Sequence, residues 1–126
     1  MKLTKNFYKY EFDSKDGSVM PLEVFKNVQK LAENLQVLRD ELKAPITINS
    51  GYRSPKHNAK IGGVKRSQHL LGNASDIVVD GYTPQEVSVV IEELIREGKM
   101  LQGGLKAYDT FTHYDIYFDG KNIRRW

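Results

Sequence analysis

Residues 67–76 read "SQHLLGNASD", which sets His69 seven positions ahead of Asp76 with Gly72 between them. If both side chains bind one metal ion, their coordinating atoms must lie within about 4 Å, because each sits roughly 2.0 to 2.2 Å from a zinc. Seven residues of continuous helix would part their backbones by roughly 10.5 Å, so the chain must bend between them. Gly72 can supply that bend, since glycine takes positive φ without steric cost. The run "SDIVVDG" from Ser75 then reads as a buried strand that presents Asp76 from a rigid support. Read alone, the same residues also fit a polar loop in which Asp76 caps a turn and His69 is merely hydrogen-bonded.

Upstream, an aromatic and basic opening segment is followed by a turn at "DSKDGS", and Pro21 stands where a first helical residue often does. Apolar residues at Phe25, Val28, Leu31, Leu35, Leu38 and Leu42 recur at spacings of three and four, which predicts a helix with one core-facing stripe. Ala44 and Pro45 end it, and "ITINS" predicts a short strand from Ile46 to about Ser50. "GYRSPKHNAKIGGVKRS" is a long surface excursion with one helical turn after Pro55, of a length that is usually functional or disordered. Downstream, "TPQEVSVVIEELIREG" predicts a second helix, with Thr83 as N-cap, Pro84 first, Glu86 completing a capping box and Gly98 ending it. "LQGGLKAY", "THYDIYF" and "NIRRW" are three strand candidates, with turns at "DT" and "DGK". The expected fold is α+β, one domain over residues 1–126, with helices packed on one side of a small, mainly antiparallel sheet.

A chain of 126 residues suits a single core, and 40% hydrophobic with 28% charged residues is ordinary for a globular domain. The net charge of +3 comes from interleaved signs, which gives little support to a nucleic-acid-binding face. With no cysteine, any transition metal must be held by histidine and carboxylate. No segment approaches the roughly 18 apolar residues of a membrane span, and "MKLTKNFYKYEF" has no apolar run of signal-peptide length. Synthesis in the cytoplasm without a signal peptide, and a monomer, are expected.

Only His57 and His113 remain as further histidines. Strand alternation in "THYDIYF" points His113, Asp115 and Tyr117 to one face, whereas His57 in "SPKHN" reads as a loop anchor bonded to backbone. Asp80, Glu92 and Glu93 read as turn and solvated helix residues, and Tyr52, Tyr108 and Tyr114 as packing or cleft-wall residues.

Ser67, His69, Gly72, Ala74 and Asp76 match the S-x-H-x-x-G-x-A-x-D motif, and with "SGYRSPKHN", "THYD" and the terminal "RRW" the chain resembles the zinc D-Ala-D-Ala carboxypeptidase family. The likeness is to its short H-x-D subgroup; the wider group includes phage endolysin peptidases and murein endopeptidases and shares the fold of the Hedgehog signalling domain. The resemblance implies zinc held by His69, Asp76 and His113 with one position open to water, Arg53 neutralising a substrate carboxylate or carbonyl oxygen, and Ser67 holding the substrate or the loop; Tyr108, as a cleft-wall residue, is expected to touch the substrate. It also implies a peptidoglycan peptide as substrate, and action on the cell wall if the chain is released or delivered, as a phage or prophage product would be. The sequence departs from the wider group, which ends in H-x-H with an acid three positions before the last ligand, where this chain has Thr110. Asp115 is the first candidate for general base, weighed evenly against a role in orienting His113, and Asp109 is the second. A reading in which Asp115 is the ligand and His113 the acid/base also stands. Where relatives have "GGxGxY" this chain has "GGLKAY", so Lys106 is expected to narrow the cleft or touch substrate. The competing expectation is a zinc-containing wall-binding or structural module with catalysis weak or lost.

Overall fold

The computed structural model describes residues 1–126, and the stripe after Pro21 forms α1, Leu22–Leu42. Val24, Val28, Leu31, Leu35, Leu38 and Leu42 are all buried along it. Pro21 stands just outside the helix as its N-cap, with extended backbone. Lys43 ends it in the left-handed conformation at φ 52, and its N–H bonds to Arg39 O. Asn34 breaks the apolar stripe for a reason: its Oδ1 accepts from the backbone of Leu101 at 2.7 Å and its Nδ2 donates to Lys30 O. A buried amide so satisfied ties the helix to the segment after the last helix.

The excursion carries α2, Pro55–Lys60, whose N-cap Ser54 accepts from the backbone of His57. α3, Pro84–Arg96, has the expected Thr83–Glu86 capping box. Four strands, β1 (Ile46–Ser50), β2 (Ala74–Val79), β3 (Leu105–Ala107) and β4 (Thr112–Asp115), form a sheet in the order β1-β2-β4-β3, every pair antiparallel. Side-chain alternation gives this sheet two different faces. Ile46, Ile48, Ile77, Val79, Leu105 and Tyr114 join α1 and α3 in one core cluster. Asp76 and His113, direct cross-strand partners, point to the opposite face. The fold is thus α+β with a four-stranded antiparallel sheet, as expected.

The C-terminal region departs from the expectation of three strands. "NIRRW" forms no strand; it touches the sheet through a single parallel bridge between Leu105 and Arg125. β3 is only three residues long because Gly103 and Gly104 before it pass directly under Asp115, whose oxygens a Cβ on either would strike. β4 stops at Asp115 because the next amides turn back: Tyr117 N–H donates to Asp115 Oδ1 at 3.1 Å. Tyr117 therefore does not extend the His113 and Asp115 face and is 43% exposed. Glu92 is also not merely solvated, since it takes a two-pronged ion pair from Arg125 at 2.7 and 2.9 Å.

Candidate metal centre

Each member of the His69, Asp76 and His113 group is set by a different local device. His69 rides on a 3-10 turn, Gln68–Leu71, that Ser67 caps by accepting the His69 N–H at 3.1 Å. Gly72 closes the turn at φ 76, and β2 begins two residues later. The His69 ring places Nδ1 2.7 Å from Gly51 O, and since a carbonyl only accepts, Nδ1 carries the proton and Nε2 keeps its lone pair. His113 is held from the other side, with Nε2 2.8 Å from Asp115 Oδ2, which leaves Nδ1 facing Asp76.

The two inward nitrogens converge on one oxygen. Asp76 Oδ1 lies 3.3 Å from His69 Nε2 and 3.1 Å from His113 Nδ1, while Arg53 Nη2 holds Oδ2 at 3.3 Å. The three donor atoms lie within 4.8 Å of one another, so the cluster could hold a metal ion. Two imidazole nitrogens and a carboxylate oxygen, each outer atom engaged by a second hydrogen bond, is a donor set that suits zinc. Burial alone would push the Asp76 carboxyl up, yet His113 and His69, when each ring is protonated toward it, outweigh burial and hold the carboxyl well below the usual range; loss of those two protons is what leaves Nδ1 and Nε2 as metal donors. Burial likewise would lower His113, and its bonds to Asp115 and Asp76 reverse the sign and raise it.

The cluster opens into a cleft of about 710 Å³. Arg53, Ser67, His69, Asp76 and His113 line it, with Gly62 to Val64 on one rim and Ile123 to Trp126 on another. Tyr108 and Phe111 add a stacked aromatic wall, their centroids 4.5 Å apart. Arg53 spends three donors on Ser50, Asn58 and Asp76, which leaves two of its five for the cleft.

Several sequence-derived residues occupy other settings. Asp115, the first candidate for general base, is fully buried and off the cleft lining, with Oδ2 on His113 and Oδ1 accepting from Gly104, Tyr117 and Arg124. That is the environment of a carboxylate that orients a ring, not of one that meets water. Asp109, the second candidate, lines a separate cavity of about 130 Å³ with Ile77, Val79 and Tyr82. Lys106 leans over the Tyr108 ring at 4.8 Å and is not part of the lining. His57 differs from the expected loop anchor: only its backbone N–H bonds Ser54, and its ring makes no hydrogen bond. Tyr114 is a core residue whose hydroxyl donates to Leu101 O at 2.8 Å, and Tyr52 is buried.

The sequence reading did not single out Phe111, Asn58, Arg124 or Trp126. Asn58 is buried and clamps the cleft rim by donating to Val64 O, and Trp126 sets its ring 5.3 Å from that of His113. Only the terminal "RRW" offered a signal for the last two.

The sequence model described as peptidase M15 matches residues 3–115. A zinc D-Ala-D-Ala carboxypeptidase of Streptomyces albus G is 33% identical over 66 residues, 52% of this chain. The match spans 26% of that relative, about a quarter of its length. Among solved structures, the L-Ala D-Glu endopeptidase of Serratia marcescens superposes with a TM-score of 0.50 over 82% of this chain and 94% of that one, at 18% identity, which is a likeness of fold.

Proposed function

The chain belongs to the peptidase M15 family, and from that premise we propose that it is a zinc-dependent peptidase of bacterial peptidoglycan, either trimming a terminal D-alanine or cutting an internal bond. The observation that carries this reading is the convergence of His69 Nε2 and His113 Nδ1 on Asp76 Oδ1 at the floor of an open cleft. His69, Asp76 and His113 are the proposed ligands. Zinc, when bound, supplies Lewis acidity that lowers the pKa of water and polarises a peptide carbonyl.

The remaining residues of the chain prepare that chemistry. Gly51 O and Asp115 fix which nitrogen each histidine presents. Arg53 keeps Asp76 in place and turns its two spare donors to a substrate carboxylate or carbonyl oxygen, for which a guanidinium fork is suited. Tyr108 and Phe111 offer an apolar wall, and Ser67 holds the turn that bears His69. Asp115 is assigned to orienting His113.

No helix of the chain is long and apolar enough to cross a membrane. A peptidoglycan substrate would put the site of action at the cell wall.

Digestion of purified peptidoglycan with the zinc-loaded protein, read by mass spectrometry beside His69→Ala, tests the proposal. New fragments that vanish in the variant are expected, and their masses name the bond. One observation favours a second reading, a wall-binding or structural module with weak or lost catalysis: Asp76 is the only carboxylate on the cleft lining. Tight wall binding with no fragments across several wall chemistries would replace the first reading with the second.

A further inference from the structure

Arg124 sits on the cleft rim, and its guanidinium reaches inward past the lining to Asp115. Nη2 donates both to Asp115 Oδ1 and to Tyr117 O, the latter at 3.0 Å. The group lies over two aromatic rings, with its central carbon 5.4 Å from the Tyr117 centroid and 5.9 Å from that of Trp126. The backbone opposite leaves room for it. A Cβ at Gly104 would stand 2.4 Å from Asp115 Oδ2 and 2.9 and 3.0 Å from the two terminal nitrogens of Arg124, so the Asp115–Arg124 contact needs glycine at that position.

We propose that Arg124 is a positioning residue of the metal centre: it fixes Asp115, and Asp115 fixes the His113 ring so that Nδ1 faces Asp76. The proposal rests on the reading that His113 is a metal ligand. Asp115 has no exposed surface, so its oxygens are oriented by protein donors alone. Backbone N–H groups of Gly104 and Tyr117 are two of these donors, and Arg124 supplies the only cationic side chain bonded to it other than the histidine it orients. With Oδ1 taken by those three donors, Oδ2 is the oxygen turned to His113 Nε2, and that contact sets the ring with Nδ1 facing Asp76.

The plainer role for a residue near the C-terminus is to fasten the tail. That task already belongs to Arg125, which grips Glu92 with two nitrogens and donates to Gly103 O and Gln102. Arg124 is the neighbour turned toward the site.

The test measures zinc affinity by competition with a chromophoric chelator for wild type, Arg124→Ala, Asp115→Asn and the double variant, after thermal melts of the metal-free proteins establish that each is folded. Loss of an outer partner of a metal ligand typically weakens binding 10- to 100-fold, and about that loss is expected for each single variant. Because Arg124 acts through Asp115, the double variant should bind zinc no more weakly than Asp115→Asn. Methylguanidinium added to Arg124→Ala should recover part of the affinity by filling the space beside Gly104, which a tail-fastening role would not produce. Should Arg124→Ala fail to fold, Arg124→Gln carries the same cycle. Wild-type affinity in the Arg124 variant, or losses that multiply in the double variant, overturns the proposal while the metal centre stands. Absence of zinc binding by the wild type overturns both.

Discussion

Replacing Gly72 by alanine should cost far more than the same change at Gly98, although both glycines have nearly the same backbone, φ 76 and φ 75. An L-residue in the left-handed region costs roughly 1 kcal/mol, and both variants bear that strain. Their surroundings differ. At Gly98 an added Cβ meets nothing within 4 Å, whereas at Gly72 it would stand 2.7 Å from Val24 Cγ1, 2.8 Å from Val24 O and 2.9 Å from Val28 Cγ2. Val24 O is helix backbone and cannot rotate aside, so the turn or α1 must shift, and overpacking of this kind adds about 1 to 3 kcal/mol. The totals are about 2 to 4 kcal/mol for Gly72→Ala and about 1 for Gly98→Ala. For 126 residues, 1 kcal/mol is about 4 °C in Tm, so the drops should be about 8 to 16 °C and about 4 °C. Thermal melts in chelator, followed by circular dichroism, read both. Zinc affinity should fall in Gly72→Ala alone, because Gly72 spans the two ligands His69 and Asp76. Equal Tm drops for the two variants would refute the close packing of this turn on α1, and unchanged zinc affinity in a destabilised Gly72→Ala would refute its role in bringing the ligands together.

Zinc itself should stabilise the fold. At a thousandfold excess over Kd, binding to the native state alone contributes about 4 kcal/mol, or roughly 15 °C in Tm; calorimetry should show that rise, its reversal by chelator, and its absence in His69→Ala. The Glu92–Arg125 pair gives a pH signature. The hydrogen bond from Arg125 leads the effects that hold Glu92 below its ordinary 4.5, so its contribution is complete above the unfolded value and is lost as pH falls through the folded one. Glu92→Gln should therefore cost about 0.5 kcal/mol near pH 7, small because the Glu92 side chain is 42% exposed, with the gap to wild type closing as pH falls below the ordinary carboxylate range. A gap that persists or widens in acid would refute the pairing.

What could be read in advance was what depends on neighbours in the chain. The α1 stripe, the Thr83 capping box and the bend at Gly72 are local patterns, and each appears where its residues predicted it. The pairing of His69 and Asp76 was legible because a glycine and a strand start lie between them. The C-terminal strands were less legible, since their lengths are set by Gly103 and Gly104 tucked beneath Asp115, a contact between segments far apart in sequence. Glu92 looked solvated for the same reason: its partner, Arg125, comes 33 positions later. Alternation could place Asp115 on the face of His113, but it could not reveal that Gly104, Tyr117 and Arg124 already occupy its oxygens.

The chain contains a single tryptophan, and that residue lies edge-on to His113 with 5.3 Å between ring centroids. All indole emission therefore arises beside one proposed ligand. Imidazole protonation and metal coordination both change the electric field at such a distance, so excitation near the red edge of the protein band yields an optical titration of this centre with no label and no competing fluorophore. The same signal would follow peptide entry into the cleft, because Trp126 forms part of its rim.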